Sequence, residues 1–145
     1  MLVILIASGL VIYISYLLFA PVTVIQPLTQ PYKVLNQTAK AGDHLVYEVH
    51  YCKYLDSPGT INRQIVIDGV AIDSQEQPVF LPTGCPVKKE IKVPLPLNLP
   101  NGTYKILINL HYKVNPIRII DYEFETEEFQ IVNPLEKIID DEQRE

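Results

Sequence analysis

The sequence predicts an all-β body, an antiparallel β-sandwich of about seven strands, preceded by one N-terminal transmembrane helix. Three observations carry this. Residues 1–32 contain no Asp, Glu, Lys or Arg, and the first charged side chain is Lys33. Between residues 43 and 132 apolar residues recur with a period of two, and no 3.6-residue period appears. Turns rich in Pro and Gly separate these runs at near-regular spacing, the pattern of a sandwich. At 145 residues the chain suits one domain. Its formal net charge of −5 argues against a nucleic-acid partner.

Met1 to Ala20 reads MLVILIASGLVIYISYLLFA, with Ser8, Ser15 and two tyrosine hydroxyls as its polar groups. Twenty helical residues rise about 30 Å, the thickness of a bilayer's hydrocarbon core. A serine in such a helix can bond back to its own backbone, and Pro21 ends the helix. A cleaved signal peptide needs a basic n-region and small residues before the cut. No Lys or Arg precedes the run, and Leu18 stands where a small residue belongs. A buried core helix needs an amphipathic face, which the segment lacks. The expectation is therefore a signal-anchor over residues 1–20, with the membrane as a partner through it. Lys33 and Lys40, on the C-terminal side, lean toward a cytoplasmic body.

Residues 21–31 hold Pro21, Pro27 and Pro31 and read as a Pro-rich linker. The sandwich is expected over 32–132, with a first edge strand near Tyr32–Leu35. His44–Tyr54 is a half-buried strand, with Leu45, Tyr47, Val49 and Tyr51 on one parity. Ser57-Pro58-Gly59 turns it. Ile61–Asp68 follows with Ile61, Ile65 and Ile67 inward, and Arg63 interrupts that face. Gly69 and Asp73–Gln77 read as loop, and Pro78–Leu81 as a short edge segment. Val87–Leu95 alternates cleanly. Tyr104–Val114 carries the strongest alternation, Asn115-Pro116 turns it, and Arg118–Val132 closes the sheet with a bulge expected at Thr126-Glu127-Glu128. Residues 133–145 read as a short helix, capped by Asn133, and an acidic tail.

Side chains that carry chemistry are sparse. Ser57 and Ser74 lie in loops, outside any nucleophile elbow. His44 and His50 share a strand face about 20 Å apart, too far to hold one ion; with His111 they read as solvent-facing. Asp121, Glu123, Glu125, Glu127 and Glu128 lack the spacing of a calcium loop and read as a polar face that discourages edge pairing. Tyr54, near a strand end, reads as exposed. Asn36-Gln37-Thr38 and Asn101-Gly102-Thr103 match glycosylation sequons, which matter in a eukaryotic secretory route. No metal, cofactor or catalysis is expected.

Leu99-Pro100-Asn101-Gly102-Thr103-Tyr104, ahead of the strongest strand, resembles the tyrosine corner of immunoglobulin-like and fibronectin-type sandwiches. The resemblance implies a structural role for Leu99, Gly102 and Tyr104, with the Tyr104 hydroxyl bonding back to the backbone a few residues upstream. Ala41-Gly42-Asp43 is common ahead of strand B of such domains. The chain has no Trp, and no Cys on the presumed strand F, so the core disulfide of antibody domains is excluded. Tyr51-Cys52-Lys53-Tyr54, Gly84-Cys85, Tyr112–Arg118 and Tyr122-Glu123-Phe124 also look similar to uncharacterised single-pass proteins of phages and prophages.

In the immunoglobulin-like topology Cys52 and Cys85 fall on strands B and E, neighbours in one sheet, and a surface disulfide between them is expected. Cys85 itself reads as part of a Pro/Gly turn. A bridge requires an oxidising compartment, which puts the body outside the cytoplasm, periplasmic or extracellular. The functional expectation is a membrane-anchored, non-catalytic interaction domain that binds a protein or glycan partner. The alternative is a structural subunit of an envelope or phage virion assembly.

Overall fold

A computed structural model describes residues 2–134. One helix, α1 (Leu2–Phe19), precedes ten strands: β1 (Ile25–Pro27), β2 (Lys33–Val34), β3 (Thr38–Lys40), β4 (His44–Lys53), β5 (Gly59–Ile67), β6 (Val70–Val79), β7 (Gly84–Pro94), β8 (Gly102–Asn115), β9 (Arg118–Glu125) and β10 (Phe129–Val132). They form a mostly-β, sandwich-like fold of two sheets. In the first, β4 is flanked by β7 on one side and by β1 and β2 on the other, all antiparallel. The second runs β3-β10-β8-β5-β6, with β9 also on β8. β3 lies parallel to β10, so the N-terminal stretch leaves the first sheet after β2 and joins the second.

The expected transmembrane helix is corrected. α1 has 18 residues and rises about 27 Å, short of a hydrocarbon core of roughly 30 Å. Among the described residues no helix is long and apolar enough to cross a membrane. The C-terminal end of α1 is also tied to the sandwich. Asn115 Nδ2 donates to Leu17 O at 2.8 Å, and Arg118 Nη1 donates to Ala20 O. The β8–β9 hairpin thus satisfies carbonyls that a helix end leaves open.

Residues read as linker also belong to the sandwich. Val24 and Ile25 are buried, and β1 pairs with β4, Ile25 opposite Lys53. The segment Asp73–Gln77, expected as loop, lies inside β6. That strand is the exposed edge of its sheet, so burial imposes no alternation on it, and only its pairing to β5 identifies it. The β5–β6 hairpin turns on Asp68 and Gly69, with φ of +49° and +78°. Two consecutive left-handed residues suit Asp-Gly and match the twist of the strands. The bulge expected at 126–128 is instead a gap between β9 and β10. Tyr32 fills it: its N–H donates to Glu125 O and its carbonyl accepts from Glu127 N, both at 2.8 Å. The C-terminal helix and acidic tail, from residue 135 on, lie outside the described residues.

The core lies between the sheets. On β8, Tyr104, Ile106, Ile108, Leu110 and Tyr112 are all buried, as their shared parity requires. Leu45, Tyr47, Val49 and Tyr51 of β4 face them. Tyr47, Tyr32, Phe124 and Tyr122 pack in that order, with successive ring centroids 5.7 to 6.4 Å apart.

Candidate interaction site

Pairing places three connections at one end of the sandwich. Gly59 opens β5 opposite both Val79 and Tyr112, and Lys53 pairs with Gly84. The β4–β5 loop, the β6–β7 loop and the β8–β9 hairpin are therefore neighbours, and α1 is held at the same end. Apolar side chains are exposed on each: Tyr54 and Leu55, then Phe80, then Ile117 and Ile119. Phe80 is 82% exposed. It lines a cleft of about 490 Å³ with Lys53, Asp56, Ser57, Pro58 and Leu81. α1 itself presents Ile6, Leu10, Tyr13 and Phe19 to solvent on several sides.

The disulfide anchors this end. Cys52 and Cys85 are bonded, joining β4 to β7. Cys85 lies inside β7 rather than in a turn, and the bridge is only half at the surface. Cys85 is exposed, but Cys52 is buried. A register shift falls on β7, where three steps, from Val87 to Gly84, run beside the two from Tyr51 to Lys53. β4 keeps its parity there: Cys52 has the outer parity, opposite Gln26 of β1, and Tyr51, Cys52 and Lys53 are all buried. Lys53 Nζ donates to Leu81 O at 2.8 Å and stands 5.3 Å from the centre of the Tyr112 ring. Burial lowers the Lys53 pKa, and the carboxylate of Asp56 works against that shift.

At the opposite end Tyr104 Oη donates to Pro100 O at 2.8 Å, four residues upstream. Leu99 is buried, and Gly102 opens β8 opposite Ile131. Asn133 ties the end of β10 to the same segment, donating Nδ2 to Leu99 O and its backbone N–H to Asn101 Oδ1. Tyr104→Phe removes one bond and is expected to cost about 1 kcal/mol, read as a lower urea midpoint with unchanged slope. An unchanged midpoint would deny the corner any energetic role.

The histidines are spread out. His44 and His50 lie on the outer face of β4, and His111 Nδ1 meets Asp121 Oδ1 at 2.7 Å across β8 and β9. The acidic run is occupied in pairing: Glu125 bridges Lys105 at 2.7 Å, and Glu127 Oε2 accepts from Val34 N at 3.2 Å. Among the described residues no cluster of three or more His, Cys, Asp or Glu could hold a metal ion.

Sequence reasoning missed the interior polar group. Arg63 points inward on β5, is 8% exposed, and donates Nε to Tyr47 Oη at 3.2 Å. The signal was its parity, shared with Ile61 and Ile65. Burial raises the pKa of Tyr32, Tyr47 and Tyr51, and pushes that of Tyr112 up to about 12. At Tyr47 the Arg63 charge opposes the rise.

Neither a protein-family model nor any curated protein matches the sequence, and the resemblance to phage-encoded single-pass proteins gains no support from a relative.

Proposed function

We propose that this chain is a non-catalytic, immunoglobulin-like interaction subunit of an assembly outside the cytoplasm, held there by burying α1 against other subunits. One observation carries the reading. α1 is apolar around its circumference, yet its side chains from Ile6 to Phe19 are largely exposed, while the sandwich fills its own core without them. A helix apolar on all sides requires cover, and an apolar surface of this extent marks an interaction site. The strand order supports the immunoglobulin-like reading. β1-β4-β7 faces β3-β10-β8-β5-β6, which matches strands A-B-E against A′-G-F-C-C′. The disulfide supports an oxidising compartment, since cytosolic thiols are kept reduced.

A second reading, recognition of a protein or glycan by the loop end, is favoured by exposed Tyr54 and Phe80 beside the cleft. Aromatic side chains there supply contact area at low entropy cost.

Gentle extraction is expected to recover the full chain in a stable stoichiometric complex. A chain lacking residues 1–20 should sediment as a monomer, with an unfolding free energy lowered by about 1–3 kcal/mol, because among the described residues Asn115 and Arg118 each lose a hydrogen bond to this segment. A full chain that is monomeric and soluble without detergent would refute the assembly reading. Two free thiols in native material trapped at lysis would refute the compartment.

A further inference from the structure

We propose that the cavity around Arg63 is a binding site for one small anion, a carboxylate group or a halide. The cavity, about 30 Å³, lies between the sheets and is lined by Tyr47, Tyr51, Arg63, Val79, Leu81 and Ile91 among others. Val79 ends β6 and Ile91 belongs to β7, the outermost strands of the two sheets on this side. The polar side chains brought there, Arg63 and the phenols Tyr32, Tyr47 and Tyr51, can each donate a hydrogen bond, and Arg63 brings the one formal charge of the lining. Arg63 gives Nε to Tyr47 Oη, and its four remaining N–H groups have no acceptor among the described residues. Tyr47 Oη accepts that bond and keeps its own proton to donate. Tyr51 Oη is fully buried without a hydrogen-bond partner.

No Asp or Glu lines the cavity, and among the described residues no carboxylate pairs with Arg63. A buried guanidinium without a counter-charge is costly. Water would satisfy its hydrogen bonds and leave its charge unanswered; an anion answers both. A planar guanidinium fork suits a carboxylate in particular. The volume sets the size. One water needs about 10–15 Å³ by this measure, so the cavity admits a chloride ion or a carboxylate head and excludes a sugar or nucleotide. The anion has two sources, a free small ion or a carboxylate tethered to a longer chain that enters between β6 and β7.

The test follows thermal unfolding of the full-length, disulfide-bonded chain in rising sodium formate. Ionic strength is held with sodium HEPES, whose bulky zwitterionic anion is neither a halide nor a carboxylate and exceeds the cavity. An anion that binds only the folded state raises Tm with concentration. The expected rise is about 3–6 °C at tenfold over Kd. It should vanish in Arg63→Met and persist in Lys89→Ala, which removes an exposed charge. An equal rise in Arg63→Met overturns the proposal. Chloride-35 line broadening of the unaltered chain keeps the question decidable if the variant does not fold. Excess width displaced by formate supports the site, and no displaceable width overturns it. Displacement by butyrate as well as formate identifies a tethered carboxylate, and displacement by formate alone a free ion; either supports the site.

Discussion

Breaking the Cys52–Cys85 bridge is expected to lower the stability of the sandwich by roughly 3–4 kcal/mol. The bond closes a stretch with a sequence separation of 33, and that loop closure is lost from the unfolded state alone. The effect should appear in the Cys52→Ser, Cys85→Ser double variant as a fall in Tm of about 10–20 °C. Most of the loss should also appear in the unaltered chain under reductant. The variant should fall somewhat further, because Cys52 is buried and a serine there takes a hydroxyl out of water. A shift under 2 °C in both would mean that strand pairing between β4 and β7 already confines the chain.

Alkali should destabilise the protein steeply above pH 10. Tyr32, Tyr47, Tyr51 and Tyr112 all have raised pKa values, with burial the main cause at each. At Tyr32 the neighbouring phenols Tyr47, Tyr112 and Tyr51 add to the rise. A raised folded-state pKa gives stability that is complete below the unfolded value, near 10, and is lost as pH climbs toward the folded one. For Tyr112 that window is pH 10 to about 12. Each phenol that keeps its proton when folded and loses it when unfolded contributes a slope of about 1.4 kcal/mol per pH unit. Tyr112 alone accounts for about 1 kcal/mol at pH 11 after solvent screening, and Tyr32, Tyr47 and Tyr51 shift the balance in the same direction. Urea midpoints from pH 8 to 11.5, read beside phenolate absorbance, check this. Midpoints flat across the range, or all nine tyrosines ionising together near pH 10, would contradict it.

The strands that bury one face were legible because burial enforces alternation. β4 and β8 alternate in sequence and in burial alike. β6 was not legible, because an exposed edge strand meets no such constraint. β1 was hidden by Pro27, although a strand paired on one side has room for a residue without an N–H. The interaction end was legible in part. Tyr54 reads as exposed from its place at a strand end, whereas Phe80 reads as one more apolar residue of a short strand.

Composition and periodicity by themselves determined an apolar first helix, a β-rich body and two cysteines free to pair, since these follow from local preference and from which face must avoid water. Tertiary structure decided that the helix falls short of a span and is tied to the β8–β9 hairpin. It also decided that β7 carries Cys85 alongside Cys52 and that Arg63 ends beside Tyr47 between the sheets. Each of these depends on which distant strands become neighbours, a relation that no local period encodes.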